Sequence, residues 1–108
     1  MRLSPSTVRR EYPDAVDTTA LAVRDNEREL RYELTRGGEV LGFINYRRDP
    51  QRGRVELVHT DIEPAYEGHG LGSLLVKGAL DDLHQRGLRA VPYCPFVRAY
   101  LRRHPEDA

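Results

Sequence analysis

Three glycines at alternate positions stand directly before an apolar run, in the stretch GHGLG at residues 68–72. The apolar residues of this run recur every three or four positions, which predicts an amphipathic helix. We expect this helix to begin at Leu71 and to stop at Gly87, because glycine favours the C-terminus of a helix. Its predicted apolar stripe consists of Leu71, Leu74, Leu75, Val76, Ala79, Leu80 and Leu83.

The segments on either side of this helix have the patterns of strands and short turns. The four predicted strands cover residues 28–36, 39–48, 54–62 and 88–94. Pro95 begins a second, short helix that continues to about Arg103, since proline favours the first helical position. This order of elements predicts an α+β fold with a mostly antiparallel sheet. The strand, helix and strand within residues 54–94 are expected to form a right-handed crossover.

The composition limits what the chain can do. A polar arm over residues 1–18 is expected to precede one domain over residues 19–108. The 17 basic and 17 acidic residues balance, so nothing favours nucleic acid or a membrane as a partner. One cysteine and no Cys/His cluster with zinc spacing predict neither a disulfide nor a metal site. Without an apolar run of about 20 residues, we expect a cytoplasmic protein. We expect it to be a monomer or a weak dimer.

The glycine stretch does not match the common nucleotide-binding loops. The chain contains no GxxxxGK[ST] string, and its third glycine comes too early for the dinucleotide pattern GxGxxG. Glycines in a turn nevertheless let backbone N–H groups converge, and a helix N-terminus behind them adds partial positive charge. Such a turn binds an anion without any lysine. From the residues alone, a phosphate-binding turn and a plain strand-to-helix connection both remain open.

Two further residues carry possible chemistry. By strand alternation His59 is expected on the same face as Val55 and Leu57, either as a partly buried histidine with a polar partner or as a general base. Cys94 directly precedes Pro95 and is therefore expected near the N-cap of the last helix, where the pKa of a thiol is lowered. The alternative is a small residue that fills the core.

Residues 59–80, HTDIEPAYEGHGLGSLLVKGAL, resemble the acetyl-CoA-binding stretch of the GNAT N-acetyltransferase superfamily. The family signature there is Gln/Arg-x-x-Gly-x-Gly/Ala at the start of the helix. The tail VPYCPFVRAYLRRHPE, residues 91–106, resembles a small one-domain branch of the same superfamily. The resemblance implies a minimal GNAT-like fold and an acetyl-CoA-dependent N-acetyltransferase whose acceptor is an amine of a small molecule or a protein.

The resemblance also implies positions for the cofactor. The pyrophosphate of CoA would lie on backbone N–H groups from Glu67 to Gly72, and the pantetheine arm along the strand at residues 59–62. The implied cofactor-binding residues are Thr60, Asp61, Ile62, Glu67, Gly68, His69, Gly70, Leu71, Gly72 and Ser73. Glu67 departs from the signature, because a carboxylate replaces Gln or Arg and repels a phosphate. His69 is expected to supply part of the missing positive charge.

The implied catalytic residues are His59, as general base, and Cys94, which either becomes acetylated or lines the cleft. In the family, a tyrosine of the last helix often serves as general acid, and the matching position here is Leu101. Tyr100 is therefore expected to serve in packing. Three arginines of the last helix, Arg98, Arg102 and Arg103, either form a solvated face or contact the 3′-phosphate of CoA or an acidic partner. Two other functions stay open, namely a non-catalytic CoA-binding module and a protein-interaction domain that uses the basic last helix.

Overall fold

The elements follow one another in the predicted order, with one additional strand at the start. The computed structural model describes residues 20–108, so the predicted arm over residues 1–18 lies outside the described part of the chain. The strands and helices are β1 Leu21–Asn26, β2 Arg31–Arg36, β3 Glu39–Asp49, β4 Arg54–Ile62, α1 Leu71–Gln85, β5 Arg89–Pro92 and α2 Pro95–Arg103. No helix within residues 20–108 has both the length and the apolar character needed to span a membrane.

The five strands form one sheet in the order β1-β2-β3-β4-β5. Neighbouring strands are antiparallel except β4 and β5, which are parallel. Parallel neighbours need a crossover connection, and α1 supplies it. The α+β fold and the mostly antiparallel sheet are therefore as predicted.

Strand β1 was not predicted from the sequence, because its six residues show only a short alternation. Leu21 and Val23 are partly buried against the core, whereas Ala22 and Arg24 are exposed. Gly78 of α1 makes room for this strand, since a Cβ atom at that position would lie 2.6 Å from the Cβ of Val23. The glycine thus allows α1 and the edge of the sheet to approach closely.

Both helices cover the same face of the sheet and enclose a single core. The buried apolar residues are Tyr32, Leu34, Leu41, Ile44, Tyr46, Val55, Leu57, Leu71, Leu75, Val76, Ala79, Leu80, Leu83, Cys94, Val97 and Tyr100. Leu74, predicted to belong to the apolar stripe of α1, is instead 43% exposed. Helix α1 ends at Gln85, and Gly87 follows with a positive φ of 72°, as expected for a C-terminal glycine.

The opposite face of the sheet carries a buried carboxylate. Glu33 is only 1% exposed and accepts hydrogen bonds from Arg24, Asn26 and Arg31 at 2.8–2.9 Å. Burial alone raises the pKa of Glu33, but the hydrogen bonds from Asn26, Arg31 and Arg24 outweigh it and hold the pKa below its usual value. The carboxylate therefore remains charged and ties β1 to β2.

Candidate functional site

Strand β5 pairs with only the first half of β4. The paired residues run from Arg54 opposite Arg89 to Leu57 opposite Pro92. The N–H groups of Tyr93 and Cys94 then both donate to the carbonyl of Leu57, at 3.0 and 2.9 Å, and the chain enters α2. Within residues 20–108, the edge of β4 over residues 58–62 that faces away from β3 has no strand partner. Such an open edge presents N–H and C=O groups with which an extended ligand can pair.

A cavity of about 450 Å³ lies beside this open edge. Its lining residues are Thr60, Asp61, Ile62, Tyr66, Glu67, Gly68, Gly70, Leu71, Gly72, Ser73, Phe96 and Arg103. Cavities of this size are typical of small-molecule sites. Nine of the ten residues that the sequence singled out for cofactor binding are among them, and only His69 is not. The last third of β4 and the glycine turn, which are separate in sequence, thus face one space.

The glycine turn has the backbone geometry of an anion site. Gly68 and Gly70 have φ values of 85° and 75°, which residues with a Cβ rarely adopt. The sequence led us to expect a free N–H group at Glu67. This group instead donates to the carbonyl of Pro64 at 3.3 Å. Within the described residues, the N–H groups of residues 68–73 have no backbone acceptor. Those of residues 71–73 belong to the first turn of α1, where the helix dipole adds positive potential.

Phe96 forms one wall of the cavity and packs on the first turn of α1. A Cβ atom at Gly72 would lie 2.5 Å from Cζ of the Phe96 ring. Gly72 therefore serves close packing between the two helices, whereas Gly68 and Gly70 serve the turn itself. The three glycines of the opening motif thus have two different physical roles.

Cys94 lies at the N-cap of α2, as predicted, and is 3% exposed. Its Sγ is 3.2 Å from Oγ1 of Thr60, which lines the cavity. Burial raises the pKa of the thiol, but the Thr60 hydroxyl and the N–H groups of Val97 and Phe96 outweigh it, and the pKa is lowered. The site therefore favours the thiolate form of Cys94.

The predicted orientation of His59 is wrong. Asn45 pairs with His59 and Tyr46 with Leu57, so Val58 is an extra residue that forms a β-bulge in β4. A bulge shifts the alternation by one residue, which places Thr60 on the core side with Leu57 and turns His59 to the opposite, exposed face. His59 and Cys94 consequently lie on opposite faces of β4 and do not form a cysteine–histidine pair.

Tyr100 packs in the core, as expected, and is 3% exposed. Its hydroxyl donates to Asp107 at 2.6 Å, and burial together with this bond raises the pKa of Tyr100. The ring also stacks near His104, with the centroids 4.5 Å apart. Tyr100 therefore anchors the C-terminal turn and does not face the cavity.

His104, Glu106 and Asp107 bring one potential metal-ligand atom each to within 4.8 Å of one another. The carboxylate of Asp107 is already bonded to Tyr100 and to Lys77, whose Nζ lies 3.2 Å away. A lysine ammonium so close to the cluster disfavours a metal cation by charge repulsion. The contacts of Asp107 with Tyr100 and Lys77 instead hold the C-terminal turn against the two helices.

Comparison with known proteins identifies the family. Residues 31–108, nearly three quarters of the chain, match the family model described as GCN5-related N-acetyl-transferase. The chain belongs to the GCN5-related N-acetyltransferase family. The resemblance carried by the glycine turn and the C-terminal segment is thereby confirmed. Enzymes of this family typically transfer the acetyl group of acetyl-CoA.

Individual relatives match parts of the chain or its fold. Protein NATD1 of Homo sapiens and of Gallus gallus are each 35% identical to the chain over 51 residues, which is 47% of this chain. The match covers 45% and 46% of those proteins, so the chain spans about half the length of the curated relatives it matches. A GCN5-like protein of Staphylococcus aureus, solved by NMR, has a TM-score of 0.60 and 20% identity, over 82% of this chain and 85% of that one. It shows the same fold.

Proposed function

We propose that this member of the GCN5-related N-acetyltransferase family transfers the acetyl group of acetyl-CoA to an amine. The observation that carries the proposal is the single cavity that joins the open edge of β4 to the glycine turn. One end of this cavity offers free N–H groups at a helix N-terminus, which suit a pyrophosphate. The other end reaches Thr60, next to Cys94.

The cofactor is proposed to lie along the cavity in an extended form. Its pyrophosphate accepts hydrogen bonds from N–H groups within residues 68–72, and the hydroxyl of Ser73 adds a further donor. Its pantetheine arm pairs with the open edge of β4 over residues 58–62, as an added strand does. The acetyl thioester then lies near Thr60, where β4 and β5 separate.

Direct transfer is the mechanism that the arrangement favours. The amine nitrogen attacks the thioester carbonyl, the C–S bond breaks, and CoA leaves as its thiolate. His59 or a water molecule takes the proton that the nitrogen loses. Because His59 is exposed on the face opposite Cys94, we propose that the acceptor approaches from that outer face. This step needs no covalent enzyme intermediate.

A second cavity of about 240 Å³ lies on the outer face, and Asp61 lines both cavities. Its charged lining residues are Asp61, Glu63 and Arg31. The Arg31 guanidinium lies over the Phe43 ring, 4.5 Å from its centroid, so this ring already has a cationic partner. The acceptor is therefore proposed only as an amine, and a panel of monoamines and polyamines tests which kind is used.

A two-step mechanism is the second candidate, favoured by the lowered pKa of Cys94. The Cys94 thiolate would attack the thioester, release CoA and hold the acetyl group until the amine takes it. His59 cannot activate Cys94, since the bulge at Val58 places them on opposite faces. Thr60 and the N–H groups of α2 would stabilise the thiolate instead.

The test combines binding and turnover. Saturation with CoA at about 100 times Kd should stabilise the protein by about 2.7 kcal/mol in a thermal-shift assay. Release of free CoA thiol with a panel of amines, polyamines included, then measures transfer. No thermal shift would refute the cofactor site, and a shift without thiol release would leave a CoA-binding module that is not an enzyme.

Variants separate the two mechanisms. In direct transfer, Cys94→Ala retains turnover and wild-type protein incubated with acetyl-CoA alone gains no acetyl group by mass spectrometry. In the two-step mechanism, Cys94→Ala loses turnover and the wild type becomes acetylated. His59→Gln should lower kcat roughly 100-fold if His59 is the base.

A further inference from the structure

Three charged residues line the main cavity, and only one of them carries the positive charge that attracts a polyanion. The charged lining residues are Asp61, Glu67 and Arg103, two carboxylates and one guanidinium. His69, from which the sequence led us to expect positive charge, does not line the cavity. Glu67 also stands where the family signature has Gln or Arg. Beside the N–H groups of the glycine turn, Arg103 is therefore the charged lining residue that attracts a pyrophosphate, whereas Asp61 and Glu67 repel it.

Arg103 is available for a ligand. Its side chain is exposed, and within residues 20–108 it has neither an ion-pair partner nor a hydrogen bond. Three other cations of the two helices are already engaged. Arg98 donates to the carbonyl of Tyr93, Lys77 bonds Asp107, and Arg86 pairs with Asp82 at 3.1 Å.

The position of α2 explains how a residue at the chain end reaches the cavity. Cys94, at the N-cap of α2, contacts Thr60 at one end of the cavity. The nine residues of α2 rise about 13 Å, which brings Arg103, its last residue, to the same cavity as the glycine turn. One helix thus places a thiol near the thioester end and a guanidinium near the phosphate end.

We infer that Arg103 binds the pyrophosphate of CoA opposite the N–H groups of the glycine turn. This inference rests on the proposed function. A guanidinium suits the role because it donates two parallel hydrogen bonds to phosphate oxygens. Arg103 thereby replaces, from the C-terminal helix, the positive charge that position 67 lacks.

The test compares neighbouring arginines of α2. Arg103→Gln should weaken CoA binding roughly tenfold or more, measured by isothermal titration calorimetry, since it removes a charge-assisted contact. Arg103→Lys keeps the positive charge but loses the planar guanidinium, so its affinity for CoA should lie between those of the wild type and Arg103→Gln. Of the roles left open for Arg102, the structure favours the solvated face, because its side chain is exposed and does not line the cavity. Arg102→Gln is therefore the matched control. It should bind CoA as the wild type does.

Dephospho-CoA identifies the phosphate involved, because it lacks the 3′-phosphate and retains the pyrophosphate. The loss caused by Arg103→Gln should persist with this ligand. If the loss disappears, Arg103 contacts the 3′-phosphate and the assignment to the pyrophosphate is overturned. Equal affinities of the Arg103→Gln and Arg102→Gln variants would overturn the inference as a whole. A wild type that does not bind CoA would instead refute the proposed function.

Discussion

Replacing Gly70 by alanine tests whether the glycine turn is an anion site or only a connection. Gly70 has a φ of 75°, and a Cβ atom added there would meet nothing within 4 Å. The methyl group would project into open space beside the cavity that Gly70 lines. Gly87, at the other end of α1, has a φ of 72° and equally open surroundings but does not line the cavity. The two positions therefore form a matched pair.

The energetic expectation follows from the backbone. An alanine with left-handed φ costs roughly 1–2 kcal/mol, so both variants should lose about this much stability. For a domain of this size each kcal/mol lowers the Tm by about 4–8 °C. In the Gly70→Ala variant, any relaxation of the strained φ also re-aims the N–H groups of the proposed pyrophosphate site. We expect its Kd for CoA to rise at least about tenfold, which corresponds to 1.4 kcal/mol.

The assay measures both quantities on both variants. Differential scanning calorimetry without ligand gives the stability, and titration calorimetry at a temperature where both are folded gives the Kd for CoA. Gly87→Ala should bind CoA as the wild type does, despite its lower Tm. If Gly70→Ala and Gly87→Ala bind CoA equally well, the turn is a plain connection and the anion site is refuted.

Three further predictions follow from individual side chains. Glu67→Gln should tighten CoA binding roughly two- to fivefold by removing an exposed like charge, and unchanged affinity in titrations at low salt would contradict this. Since its pKa is lowered, Cys94 should reach half-maximal alkylation rate at a lower pH than the cysteine of an unstructured peptide, and a midpoint at or above that of the peptide would count against thiolate stabilisation. Glu33→Gln should lower the free energy of unfolding by roughly 1.5–3 kcal/mol, measured with urea at pH 7, whereas substitution of the exposed Glu39 by Gln should lower it far less. Because the pKa of Glu33 is lowered in the folded state, its contribution is full above the unfolded pKa near 4.3 and is lost as the pH falls through the folded value. A penalty that does not decrease as the pH is lowered from 7 towards acid unfolding would show that charge is not its origin.

Local features were predictable because their causes lie within a few neighbouring residues. Helix α1 begins at Leu71 behind the glycines, and α2 begins at Pro95 with Cys94 as its N-cap. Glycine at positive φ and proline at the first helical position depend only on the local backbone. The same locality explains why a short motif was enough to indicate the family.

Features that depend on pairing between distant segments were missed or predicted wrongly. Alternation along β4 placed His59 with Leu57, but pairing with β3 inserts a bulge at Val58 and turns the histidine outward. Strand β1 depends on the gap left by Gly78 in a helix more than 50 residues later. Neither effect leaves a signal in the residues around it.

The sequence by itself determined the glycine turn, the helix behind it, the cysteine before the proline and, through these, the family. The tertiary structure alone decided which of those residues meet. β5 leaves β4 after Leu57, which opens the edge beside the cavity, and α2 carries Arg103 to the same cavity that the glycine turn lines. The physical reason is the distance along the chain over which each effect acts. Preferences for φ and helix capping depend on residues within about one helical turn. A strand edge, a bulge and a shared cavity form only when segments distant in sequence pack together.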